Sequence, residues 1–124
     1  MLDANLWLLA AAGLSLATMF IHLLIGGPET VGPLLSAKDL DSIPRATAYY
    51  CWHIVSITLG AMAAAFGMSV MTGAPDAALI ATIMSAGFTV WSVVLIITHK
   101  LPWLAMGQWA FFGPITIVGV IGLV

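Results

Sequence analysis

Long apolar stretches separated by short polar breaks are the main pattern of this 124-residue chain. Each stretch is about as long as the roughly 20 residues that an α-helix needs to cross the hydrocarbon core of a bilayer. The pattern predicts transmembrane helices at about 5–26, 46–71, 77–99 and 103–124. We therefore predict an all-α fold, an integral membrane four-helix bundle in which neighbouring helices run antiparallel.

The breaks between these stretches contain glycine and proline, which end helices. The Gly-Gly-Pro sequence at 26–28 is expected to end the first helix and to open the only long connection, residues 27–45. The other connections are predicted to be short turns, at 72–76 and 100–102. The Gly-Pro pair at 113–114 predicts a kink inside the fourth helix. All of residues 1–124 then belong to a single transmembrane domain.

The composition agrees with a membrane protein and excludes several functions. Hydrophobic residues make up 62% of the chain, charged residues only 6%, and the mean hydropathy is +1.13, whereas a soluble domain carries about 25% charged residues. A net charge of -2 offers no basic surface for nucleic acid. The sequence contains no Walker loop and no Gly-x-Gly-x-x-Gly motif, so nothing in it supports nucleotide binding. We assign no catalytic residue, and the sequence favours a protein that is not an enzyme.

The few basic residues predict an orientation in the membrane. Lys38, Arg45 and Lys100 all fall on the membrane face where the first and third helices end. Short loops rich in lysine and arginine stay in the cytoplasm. We therefore predict a multi-pass protein of the bacterial inner membrane, with both termini in the periplasm. The 27–45 connection and the histidine-bearing helix ends would then face the cytoplasm.

Small and polar side chains recur at helical spacing on three of the predicted helices. Such stripes predict where the helices meet, because membrane helices associate through close packing of small residues and interhelical hydrogen bonds. The stripes are Ala11, Ser15, Thr18 and His22 on the first helix, Tyr49, His53, Ser56, Gly60, Ala63 and Gly67 on the second, and Thr82, Ser85, Thr89, Ser92, Ile96 and His99 on the third. On this basis, a larger side chain at Gly60 or Gly67 is expected to destabilise the bundle more than a larger side chain at Leu59, which lies off the stripe.

Each stripe contains a histidine near the same membrane face. Ionisable groups within membrane spans are rare and tend to face the bundle interior, so each is a functional-site hypothesis. His22 and His53 are predicted at similar depth on neighbouring helices, roughly 6 and 10 Å below the rim at 1.5 Å per residue. We predict them as cofactor ligands, for a transition metal or a b-type haem.

A metal site would add two further candidate ligands, His99 at the rim and Glu29, the nearest carboxylate in the sequence. The alternative for His22 and His53 is a buried neutral imidazole bonded to a hydroxyl or a carbonyl of the next helix. The sequence leaves both interpretations open.

The segments around His22 and His53 resemble those of a known group of proteins. Ile21-His22, the Gly-Gly-Pro-Glu sequence at 26–29, Arg45 and the Tyr-Tyr-Cys-Trp-His sequence at 49–53 are similar to a pattern in small, uncharacterised four-helix inner-membrane proteins of bacteria. The resemblance covers roughly the first half of the chain. It implies a four-helix membrane fold and supports pairing the two histidines, and it implies no particular reaction.

The sequence favours an accessory or scaffolding subunit of a larger membrane assembly. A chain without a soluble domain but with small-residue seams is suited to packing against other helices. The alternatives are a metal- or haem-binding membrane protein and a small channel or carrier. The expected partners are the lipid bilayer and other transmembrane helices, in a homo-oligomer or a larger membrane complex.

Overall fold

A computed structural model describes residues 3–124 of the chain. Over this range the protein is helical and forms no strand, which confirms the predicted fold class. The elements are α1 (Ala4–Ile21), a π-helical segment (His22–Val31), α2 (Gly32–Ser36), α3 (Ser42–Thr72), α4 (Asp76–His99) and α5 (Gln108–Leu123). Because α1, the π segment and α2 follow one another without a break, they form one continuous helix, and the described chain is a bundle of four helices.

Three of these helices are long and apolar enough to cross a membrane: Ala4–Ser36, Ser42–Thr72 and Asp76–His99. α5 is also apolar but has 16 residues, or about 24 Å at 1.5 Å per residue. Large apolar side chains cover the outer surface of the bundle, including Leu24, Ile57, Ile80 and Ile117. The protein is therefore embedded in a membrane and contacts lipid.

The prediction that the first helix ends at residues 26–28 is wrong. Pro28 lies inside the π segment, although proline lacks an N–H and its ring clashes with the carbonyl four residues earlier in an α-helix. The wider π turn bonds to the fifth residue back, as the N–H of Gly32 does by donating to the carbonyl of Gly27. The chain therefore stays helical past the proline, and the connection predicted at 27–45 shrinks to residues 37–41.

The start of the fourth helix also differs from the prediction. Residues 103–107 form turns, and the helix begins at Gln108 rather than near residue 103. The carbonyl of Pro102 accepts the backbone N–H groups of Ala105 and Met106, which closes these turns. Among the described residues, the longest connection therefore joins α4 to α5 instead of following the first helix. Pro114 lies inside α5, as predicted.

The four helices pack as a closed ring of antiparallel neighbours. α1 contacts α3 and α5, and α4 contacts the same two helices from the other side. The buried apolar core runs through the centre of this ring. It consists of Leu8, Ala11, Leu59, Met62, Phe66, Ala78, Ala81, Phe112 and Ile115.

Two of the three predicted packing stripes are buried as expected. Ala11, Ser15 and Thr18 face the interior from α1, and Thr82, Ser85, Ser92 and Ile96 face it from α4. The stripe predicted on the second helix is displaced. Leu59, Met62, Phe66 and Ser69 form the buried face of α3, because large side chains fill the centre of the ring while the small ones lie at its margin.

The expectation that Leu59 tolerates bulk better than Gly67 is therefore wrong, whereas Gly60 does lie at a contact with α1, because a Cβ there would be 3.4 Å from Met19 Sδ. Leu59 is 1% exposed, whereas a Cβ on Gly67 would meet nothing within 4 Å. The closest helix contacts involve glycines of α5 instead. A Cβ on Gly119 would lie 2.5 Å from Thr82 Oγ1, and one on Gly122 would lie 2.7 Å from a methyl carbon of Leu8.

Candidate functional site

His22 lies where α1 passes into the π segment, and its imidazole reaches across to α3. The Nε2 atom is 3.1 Å from the backbone carbonyl oxygen of Trp52. The imidazole also stacks on the indole of Trp52, with ring centroids 3.7 Å apart and ring planes at 20°. Both contacts join α3 to the helix that begins with α1, so His22 is a point of attachment between neighbouring helices.

Gly26, one helical turn beyond His22, supplies the space that the indole of Trp52 occupies. A Cβ built on Gly26 would lie 2.8 Å from Trp52 Cη2, closer than real Cβ contacts come. The adjacent Gly27 has nothing within 4 Å of a Cβ built in the same way. The indole thus covers both His22 and Gly26, and only the first of the two glycines is required for this packing.

The hydrogen bond fixes how the His22 imidazole is protonated. A carbonyl oxygen only accepts, so Nε2 must carry the hydrogen and donate it to Trp52. In the neutral ring, Nδ1 is then the acceptor nitrogen. This matches the alternative stated from the sequence, a neutral imidazole bonded to a carbonyl of the next helix. It also fits the usual arrangement around metal ligands, in which one ring N–H bonds to a carbonyl while the other nitrogen faces the ion.

His53 lies at the level of His22 but takes a different partner. It follows Trp52 on α3, and successive side chains of an α-helix project about 100° apart, which turns His53 away from the indole. Its imidazole meets the ring of Tyr49 edge to face, at a centroid distance of 4.7 Å. Both side chains are exposed on the outer surface of the bundle. The depths predicted for His22 and His53 were counted from helix ends at residues 26 and 46, which the structure moves to Ser36 and Ser42. A ligand shared by the two histidines stays a prediction.

The other two candidate metal ligands lie away from His22 and His53. Glu29 is exposed in the π segment, seven residues beyond His22, and His99 is the exposed last residue of α4. Among residues 3–124, no three histidine, cysteine, aspartate or glutamate side chains come close enough to hold one metal ion. The set of His22, His53, His99 and Glu29 is therefore not assembled within this chain.

Two residues of the site were missed from the sequence as partners of His22. Gly26 was predicted only as part of a helix end, and no contact was predicted for Trp52. A usable signal was present, because a glycine four residues after a histidine leaves one helix face open for a large ring on the next helix.

Ser92, buried on α4, has a hydroxyl without a hydrogen-bond partner among the described residues.

Comparisons with protein-family models, with curated proteins and with solved structures found no match to this chain.

Proposed function

We propose that this protein is an accessory or scaffolding subunit of a larger membrane assembly, and that His22 is a structural residue within it. The observation that carries the proposal is the bond from His22 to the carbonyl of Trp52. A histidine used in this way joins two helices of the same chain. Packing between helices is therefore a sufficient role for His22, the residue that most suggested a ligand site in the sequence.

Other buried polar side chains are used in the same manner. Ser85 Oγ donates to the carbonyl of Phe112 on α5 at 2.8 Å, and Ser69 Oγ accepts the backbone N–H of Ala78 on α4 at 2.9 Å. Ser15 Oγ bonds within its own helix, to the carbonyl of Ala11. These hydroxyls stabilise the bundle rather than line a passage or a ligand site, which favours a structural role.

A lateral groove between α3 and α4 provides a surface for another membrane helix. The groove has a volume of about 320 Å³ and is lined mainly by small and apolar side chains. Ala61 and Ala65 on one wall repeat at four-residue spacing, and Ala77 lies on the other wall above the buried Ala81. Small residues at this spacing let two helix backbones approach closely. We propose that an apolar transmembrane helix of another subunit packs here.

Photocrosslinking in the native membrane tests this proposal. A photoreactive amino acid at Ala61, in the groove, should give a discrete crosslinked protein product of constant mass. The same amino acid at Leu16, exposed on α1, serves as the matched control and should give mainly lipid adducts. Lipid adducts alone at both positions would contradict a subunit in the groove.

A metal- or haem-binding role on His22 and His53 is the second candidate, supported by their common depth on neighbouring helices. A closed metal site needs four ligands, or three and a water, and the described residues of one chain do not bring three together. With Nε2 of His22 bonded to the carbonyl of Trp52, Nδ1 is the ring nitrogen that would face an ion. Elemental analysis and a visible absorption spectrum of the purified protein test this candidate. A stoichiometric metal or a haem band that is lost in His22→Ala and His53→Ala but kept in His99→Ala would establish it.

We further propose that the protein belongs to the bacterial inner membrane, with the end of the bundle that holds His22 in the cytoplasm. The three basic residues support this orientation through the positive-inside rule. A reporter fused after Val124 should be active in the periplasm, and a reporter inserted at residues 38–41 should be active in the cytoplasm. The reverse pattern would overturn the orientation and leave the helices unaffected, since those depend on hydropathy.

A further inference from the structure

We infer that Trp52 acts as a latch: its indole, packed on His22 and Gly26, holds residues 22–31 in the π conformation. When this contact is lost, α2 changes its orientation. The inference goes beyond the proposed function, because it concerns a conformational device inside one chain. It rests on the contacts of His22, Gly26 and Trp52 and on the position at which the helix type changes.

The helix type changes at the residue that Trp52 holds. The backbone N–H of His22 still bonds to the carbonyls of Thr18 and Met19, as in an α-helix. From His22 to Val31 the helix is π, and its last bond runs from Gly32 to Gly27, five residues back. The stacked and hydrogen-bonded imidazole of His22 therefore marks the first residue of the wide turn.

Two features of the sequence favour the π conformation of residues 22–31 over the α conformation. Pro28 disfavours the α form, because its ring clashes with the carbonyl four residues earlier. The conformational freedom of Gly26 and Gly27 lowers the cost of leaving ideal α geometry. A long π segment is rare, so a specific contact must add to these effects. The indole over Gly26, 2.8 Å from where a Cβ would lie, is such a contact.

A change of helix type would move the end of the first helix. Because a π turn contains more residues than an α turn, converting residues 22–31 to α geometry would rotate everything beyond them about the helix axis. The part that rotates contains Glu29 and α2, which contacts α3 and leads into the charged 37–41 segment. Release of Trp52 would thus reorient the polar rim of the bundle without unfolding the helix.

Distance measurements between spin labels test the latch. In a Cys51→Ser background, labels are placed at Leu16 on α1 and Leu35 on α2, both exposed, and their separation is measured in lipid nanodiscs. Gly26→Ala should displace the indole and give a shifted or second distance peak. Gly27→Ala is the matched control: it removes the same glycine freedom and adds the same methyl group one residue later, where nothing lies within 4 Å, so it should shift the peak less than Gly26→Ala does.

A second variant keeps the test decisive if Gly26→Ala does not assemble. Trp52→Leu removes the indole while leaving both glycines, and it should reproduce the shifted peak. Helical content from circular dichroism should match that of the parent protein in each variant that is compared. Equal peaks in Gly26→Ala, Trp52→Leu and the parent would overturn the inference, as would equal shifts in Gly26→Ala and Gly27→Ala.

Discussion

Alanine at Gly119 should destabilise the bundle, because this glycine of α5 lies directly against Thr82 of α4. A Cβ at this position would lie 2.5 Å from Thr82 Oγ1 and 3.3 Å from Thr82 Cβ. Thr82 cannot easily move aside. It is β-branched and therefore stiff about χ1, its hydroxyl donates to the carbonyl of Ala78 at 2.7 Å, and it is 4% exposed. The added methyl group must break that hydrogen bond or push the two helices apart.

The size of the effect follows from two opposing contributions. Forcing an extra carbon into a packed interior costs about 1–3 kcal/mol, while replacing glycine by alanine in a helix stabilises it by up to about 1 kcal/mol. With the full gain subtracted, the free energy of unfolding should therefore fall by up to about 2 kcal/mol. Gly87→Ala on α4 is the control, since a Cβ there meets nothing within 4 Å. It should leave stability unchanged or raise it by up to about 1 kcal/mol.

Reversible unfolding with sodium dodecyl sulfate in mixed micelles, followed by tryptophan fluorescence, measures this difference. Gly119→Ala should unfold at a lower detergent fraction than the parent, and Gly87→Ala should not. Adding Thr82→Ala to Gly119→Ala removes the side chain that the methyl group meets, so the double variant should recover part of the loss. An unfolding midpoint for Gly119→Ala equal to or above that of Gly87→Ala would refute the close contact between α4 and α5.

The same titration checks two interhelical hydrogen bonds. Ser85→Ala removes the bond to the carbonyl of Phe112 and should lower the free energy of unfolding by about 0.6 kcal/mol, at most about 1.7, as for such bonds in membrane bundles. Ser69→Ala leaves the N–H of Ala78 without its acceptor and should cost about 1 kcal/mol, as loss of a helix cap does. Thr47→Ala, an exposed site whose hydroxyl bonds within α3 to the carbonyl of Ile43, is the control and should change stability by less than either; a larger effect there would contradict both assignments.

The helical architecture was predictable because hydropathy determines it. Apolar stretches long enough to span a bilayer leave a chain few alternatives, since every backbone polar group in lipid must be bonded within the segment. The buried faces of α1 and α4 were also predictable, because their small and polar residues recur at helical spacing. On α3 the same rule failed. Phe66, Met62 and Leu59 fill the space between four helices, and a pattern within one helix does not reveal how wide that space is.

The helix boundaries and the partner of His22 depend on contacts that span the sequence. A proline after two glycines usually ends a helix, and here it lies within a π segment that packs against Trp52. The depths of His22 and His53 were counted from predicted helix ends at residues 26 and 46, whereas the helices end at Ser36 and begin at Ser42. That His22 bonds to the backbone beside His53 depends on the rotation of α3. Rotation is determined by packing, which the sequence of one helix does not specify.

Native mass spectrometry of the protein, extracted in a mild detergent from its own membrane at its natural level, tests the accessory-subunit proposal most directly. The chain alone has a mass of 13.0 kDa. We predict a larger assembly of defined stoichiometry that contains at least one different membrane protein and releases the 13.0 kDa chain on activation. A species made only of this chain, as a monomer or a homo-oligomer, would contradict the proposal.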